Sequence, residues 1–141
     1  MKKIIVALLC CISITAQAQH LQTGEVPAGI HTAFNKQFTG VSQVKWEKDT
    51  KGYEVTFLQS SKSLSATYGT DGNWLATRTP ISATALPATA REYVQQNYAG
   101  VAIVGAAEVQ LSDGLTNYEA KVNDLTLEFD GSGHFITVHK D

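Results

Sequence analysis

The chain has 141 residues, 43% hydrophobic and 17% charged, with 11 Lys and Arg against 13 Asp and Glu and a net charge of −2. Acids and bases are interspersed with no basic stripe, which argues against nucleic-acid binding, since that needs Lys and Arg clustered against phosphate. The length suits one compact unit with a sizeable core, and no stretch reaches the roughly 20 apolar residues that a membrane span takes.

Residues 1–18 read as a signal peptide. Lys2 and Lys3 form a basic start, Ile4 to Ile14 form a short apolar run, and Ala16-Gln17-Ala18 supplies the small residues of a cleavage site. Cleavage after Ala18 predicts a periplasmic or secreted protein beginning at Gln19. Without Lys2 and Lys3, nine bases face 13 acids, a net charge of −4. Both cysteines, Cys10 and Cys11, fall in the apolar run. A lipoprotein anchor is set aside because a small residue must precede its cysteine, and Leu9 and Cys10 hold those places. The remaining domain, 19–141, therefore has no disulfide, thiol nucleophile or cysteine metal ligand, and must be held by its core.

An internal repeat organises the rest. Val26-Pro27-Ala28 aligns with Leu86-Pro87-Ala88 at an offset of 60, as does Gly40-Val41 with Gly100-Val101. Tyr53-Glu54 aligns with Tyr118-Glu119 at 65, and Tyr68-x-x-x-Gly72-x-Trp74-Leu75 with Phe129-x-x-x-Gly133-x-Phe135-Ile136 at 61. The offset changes where turn residues sit. Each copy is predicted to open with a helix: proline at its start, Ile30, Ala33, Phe34 and Phe38 on one stripe, and Gly40 as its stop. Ala90, Tyr93, Val94, Tyr98 and Gly100 repeat that design. Alternating segments follow. Tyr53, Val55 and Phe57 oppose Glu54 and Thr56, and Tyr118, Ala120 and Val122 oppose Glu119 and Lys121, as in an antiparallel sheet with one covered face. Asp49 to Gly52, Ser60-Ser61-Lys62, Asp71-Gly72, Asp113-Gly114 and Asp130 to Gly133 are the turns. The predicted class is α+β: a tandem repeat of one helix plus a four-stranded antiparallel sheet, with both helices on one face. Repeat one covers about 26–78, a linker 79–85, and repeat two about 86–139. Whether the two sheets merge stays open.

This pattern resembles the PepSY-like domains of exported bacterial proteins with a beta-lactamase-inhibitor-like fold. The matching residues are Val26-Pro27 and Leu86-Pro87 opening the helices, Val44-Lys45-Trp46-Glu47, Gly52-Tyr53-Glu54-Val55, and the glycine turns within 68–75 and 129–136. Tyr68-Gly69 lacks the acid that follows Phe129 at Asp130. The resemblance implies that fold and an envelope location, and it suggests inhibition without supplying an inhibitory loop.

Catalytic and metal chemistry find no footing. His20, His31, His134 and His139 form no ligand-spaced pair and read as surface histidines. The Asp71 and Asp130 turns lack the further oxygen ligands of a calcium loop. No serine sits in a nucleophile motif, and Glu54 and Glu119 read as solvated carboxylates. No enzyme activity, metal or cofactor is expected. The aromatic pattern points elsewhere. Taking Ile136 and Val138 as core leaves Phe135 on the open face, and the repeat then puts Trp74 outward beside Glu54, Thr56, Arg78, Glu119, Lys121 and His139. A bulge in either last strand would reverse that parity. Exposed aromatics among polar groups mark a patch for a protein or peptide of the cell envelope. The alternative is a small ligand carried in a cleft between the repeats, along 79–85.

Overall fold

The computed structural model describes residues 19–22, 25–48 and 50–141. The signal peptide expected over 1–18, with Cys10 and Cys11, lies outside them. A short strand β1 (Gln19–Leu21) precedes helix α1 (Ala28–Gln37) and strands β2 (Ser42–Lys48), β3 (Gly52–Gln59), β4 (Lys62–Gly69) and β5 (Trp74–Ile81). Helix α2 (Ala88–Asn97) then leads to β6 (Gly105–Leu111), β7 (Thr116–Val122), β8 (Leu125–Phe129) and β9 (Phe135–Lys140). One helix and four strands thus occur twice, with β1 added at the start.

The nine strands of the described residues form one antiparallel sheet in chain order. The halves join where β5 pairs with β6, from Ala76 opposite Leu111 to Ile81 opposite Ala106. Residues expected as linker therefore begin as strand: Thr79–Ile81 complete β5, and only Ala83–Ala85 form a short 3-10 turn.

The helices start as their prolines dictate. The Pro27 carbonyl accepts from the Ile30 and His31 amides at 2.9 and 3.2 Å, and the Pro87 carbonyl from the Arg91 amide at 3.1 Å. Each is ten residues long, too short to persist without packing. Ile30 and Phe34 bury against Trp46, Val55, Phe57, Ala66 and Tyr68. Ala90 and Val94 bury against Ala120, Val122, Leu127 and Phe129. Register carries these residues to one side of the sheet, since Val55 faces Ala66, Ala66 faces Thr77, and Ala106 faces Ala120. The first core is aromatic, with Phe34 edge-on to Trp46 and Phe57 at 5.4 and 5.1 Å. His31, expected at the surface, is half-buried with its ring 5.1 Å from Trp46. In the second core Ala106 stands where Trp46 stands in the first, and Tyr93 contributes instead, 5.8 Å from Phe129.

The repeat extends to backbone detail. Gly69 donates to the Asn73 carbonyl and Gly72 to that of Gly69, while Asp130 donates to His134 and Gly133 to Asp130, all at 2.8–2.9 Å. Gly72 and Gly133 adopt φ of +87° and +85°. Past each turn the register slips, between Thr67 and Tyr68 and again between Glu128 and Phe129. These are bulges at equivalent places.

Gly52 has φ of +154°, and a Cβ there would collide with the Tyr68 carbonyl oxygen across the β3–β4 ladder. Gly52→Ala is expected to cost about 3 kcal/mol or more in urea unfolding. Gly114→Ala, with φ of +86° but open space around it, should cost about 1 kcal/mol. Equal losses would refute the packing assigned to Gly52.

Burial raises the Tyr68 phenol to about 12 from its ordinary 10. The folded state then holds that proton more tightly than the unfolded chain. Its contribution is complete below pH 10 and is lost as pH rises towards 12. Urea midpoints should fall across that window, and Tyr68→Phe should flatten the fall.

Candidate functional site

The side of the sheet without helices is polar at its periphery and small-featured at its centre. Glu54 and Thr56 of β3, Arg78 of β5, Glu119 and Lys121 of β7 and His139 of β9 all stand there. They alternate with Val55, Thr77, Ala120 and Val138 on the helix side. Six of the eight residues predicted for a contact surface are therefore brought to one face.

The two aromatics are not among them. Trp74 lies opposite Tyr68, and Phe135 opposite Phe129, both on the helix side. Trp74 packs against the first core, and its Nε1 donates to Thr77 Oγ1 at 3.1 Å. Phe135 stacks on Tyr93 of α2 with ring centres 4.6 Å apart and planes 5° apart. The reason is the bulge. It places two residues of β5, and two of β9, against one of the neighbouring strand, so the alternation counted back from Thr77 or Val138 changes phase before the aromatic. Leu75 and Ile136, predicted inward, are the extra residues and are 40% and 50% exposed.

On the open face Arg78 reaches across β6 to Glu119. Its Nε donates to Oε2 at 2.7 Å and its Nη2 to Oε1 at 2.6 Å. This two-pronged geometry raises the Arg78 pKa further, against the opposing effect of desolvation. Val109 lies opposite Arg78 and Ala107 opposite Glu119. The fork therefore roofs both, and they are only 8% and 7% exposed on a face with no helix. An ion pair this exposed contributes up to about 1 kcal/mol, so its main effect is to fix where the guanidinium stands.

Two hollows flank this fork. The larger, about 500 Å³, has Pro80, Gly105 and Ala107 as small floor residues, with Glu119, Lys121, Glu128 and His139 around them. The smaller, about 220 Å³, is lined by Glu54, Thr56, Ser63 and Ser65 and shares Arg78 and Pro80. Around the larger hollow the polar side chains are paired within the chain. Lys121 Nζ lies 2.5 Å from Asp141 Oδ2, and His139 Nε2 lies 3.0 Å from Glu128 Oε1. The Lys121 contact, with a hydrogen bond from Thr126, holds Asp141 below the usual carboxylate range. The small floor residues escaped the sequence reading. The run Gly105-Ala106-Ala107 was a signal for two of them, but nothing local says that Gly105 comes to lie beside Lys121 and Ala107 between Pro80 and Glu119.

The expected cleft along 79–85 takes another form. Pro80 lines both open-face hollows, and Ile81 packs against the second core. The acidic turns direct their carboxylates to their own backbone. Asp71 Oδ1 accepts from the Asn73 amide at 3.1 Å, and Asp130 Oδ1 from the Ser132 and His134 amides at 2.9 Å. Those bonds lower both pKa values. Among the described residues no group of three His, Asp or Glu is placed to hold a metal, and no helix is long and apolar enough to cross a membrane.

Trp74→Ala should lower the unfolding free energy by about 2 kcal/mol, as loss of a partly buried core ring requires. A urea titration showing less than about 0.5 kcal/mol would place the ring outside the core.

The model of a family described as "Putative beta-lactamase-inhibitor-like, PepSY-like" matches the chain twice, over residues 12–68 and 53–137. No curated protein matches it. Among solved structures, a DUF2874 family protein from Bacteroides uniformis superposes with a TM-score of 0.70 at 17% identity, covering 82% of this chain and 89% of that one. A protein from Bacteroides eggerthii named as "putative periplasmic" gives 0.70 at 14%, covering 82% and 88%. A BLIP-like protein from Bacteroides fragilis gives 0.64 at 16%, covering 82% and 86%. At these identities the likeness is one of fold.

Proposed function

The chain belongs to the beta-lactamase-inhibitor-like, PepSY-like family, and on that premise we propose that it is an exported, non-enzymatic binding module that covers part of another protein of the cell envelope with its open sheet face. The observation that carries this reading is the pair of hollows around the Arg78–Glu119 fork. Their floor is small and their rim alternates donors with acceptors on rigid strands. Such a surface suits a folded partner or an extended peptide, because side chains can seat over Gly105 and Ala107 while their neighbours bond to the rim. Strand-borne groups also lose little freedom on binding, which lowers the cost of association. Glu54, Thr56, Arg78, Glu119, Lys121 and His139 are the proposed contacts; Trp74 and Phe135 are withdrawn from that set. Family membership and the periplasmic description of a structural relative support export. Inhibition would follow where the covered surface holds the partner's active site, a role that the name of the Bacteroides fragilis relative evokes without fixing a target.

The test uses surface charges that fill or invert the hollows. Arg78→Glu combined with Thr56→Lys should reduce capture of a specific protein from envelope extract at least about tenfold, with a melting temperature lowered only by the few degrees that loss of the exposed ion pair implies. Gln95→Lys on the exposed side of α2 should have no effect. Equal capture by all three proteins would remove the open face as the binding surface.

A further inference from the structure

The two halves of the molecule end in the same strand but not in the same surroundings. β5 and β9 follow identical turns and carry the same bulge. The outer edge of β5 is closed by β6; the outer edge of β9 carries no further strand among the described residues, where β9 ends the sheet. The difference shows on the side chains. Thr77 of β5 is 7% exposed, whereas Val138, its equivalent 61 residues on, is 40% exposed. We propose that the free edge of β9 accepts an antiparallel strand from another protein, in the manner in which β5 accepts β6.

The internal pairing supplies the template for the occupant. Transferring the β5–β6 register by that offset puts a Gln110-like residue opposite Val138, a Val109-like residue opposite His139 and a Glu108-like residue opposite Lys140. Lys140 already lies 3.3 Å from Asp124, but three-quarters of its side chain is exposed, so an acid across the strand would share it in a favourable cross-strand pair. The incoming segment is therefore short, built of small and β-branched residues, and acidic where it meets Lys140. Strand addition of this kind draws affinity from the main-chain ladder and selectivity from alternate side chains.

The β2 edge of a second copy is a poor occupant. β2 is the equivalent of β6, and the same register would set Lys48 opposite Lys140 and Glu47 opposite Asp141, two like-charge pairs. The outer edge of β2 is also already taken, since β1 pairs with it from Gln19 opposite Lys48 to Leu21 opposite Trp46. Exposed strand edges invite uncontrolled pairing and are usually blunted. Here one edge is the three-residue β1, too short to offer a long ladder, and the other keeps three uncharged residues, Ile136, Thr137 and Val138, in its middle.

The probe is the chain's own strand sequence: a peptide of residues 105–111, GAAEVQL, titrated into isotope-labelled protein. Amide shifts are expected to move along Phe135–Lys140 and saturate in the millimolar range. A peptide carrying Glu108→Lys should bind about three- to fivefold more weakly, and that order should reverse on protein carrying Lys140→Glu, which gives up only the exposed ion pair with Asp124, a small loss of stability. The proposal is overturned by any of three results: no saturable shift at about 5 mM peptide, shifts centred elsewhere, or an order of binding indifferent to the exchange of charges. A self-associated species in sedimentation that dissociates as peptide is added would make the occupant a second copy, and would also overturn it.

Discussion

The β5–β6 ladder is the contact on which the remaining architecture depends. Without it the described residues would form a five-stranded and a four-stranded layer, each with a ten-residue helix on one side. With it, the two cores lie under one continuous sheet and the opposite side becomes a single surface. The ladder also places Ala107 and Val109 between Arg78 and Glu119, which come from different halves and meet only because one strand separates β5 from β7. The larger hollow follows from that adjacency, whereas the smaller is lined by β3, β4 and β5 alone.

The same adjacency explains an inversion at the middle of the sheet. Along β6 the buried residues are Ala107 and Val109 on the open side, while Glu108 and Gln110 are exposed on the helix side. Neither helix covers this strip, so the helix side is wet there. The Arg78 side chain, pinned to Glu119, shields the opposite side. Burial on the open face is thus provided by an ion pair rather than by a helix, which is why an apolar strip lies beneath a charged surface.

Bulges have a comparable reach. Each shifts one strand by a residue and sends a large aromatic from the open side to the core side. In the first half that ring, Trp74, seals the space beside Tyr68; in the second, Phe135 extends the stack begun by Tyr93. The open face is left without large aromatics on these strands, and its recognition chemistry is polar and shape-based. The free edge of β9 is then where apolar side chains remain partly exposed, at Phe135, Ile136 and Val138.

The sequence by itself determined the elements and their order, because these depend on neighbours close along the chain. Pro27 and Pro87 start helices, Ile30 and Phe34 or Ala90 and Val94 mark their buried stripe, and the Tyr53 and Tyr118 segments alternate with period two. It also brought Glu54, Thr56, Arg78, Glu119, Lys121 and His139 to one face, since alternation within an unbroken strand is preserved. The tertiary structure alone decided the sides taken by Trp74 and Phe135, because a bulge is defined by the partner strand, and the half-burial of His31, because Trp46 arrives from β2. It alone decided the union of the sheets, the small floor beside Arg78 and Glu119, and which of two equivalent strands is left open. Each of those is a relation between segments far apart in sequence, and no local periodicity carries that information.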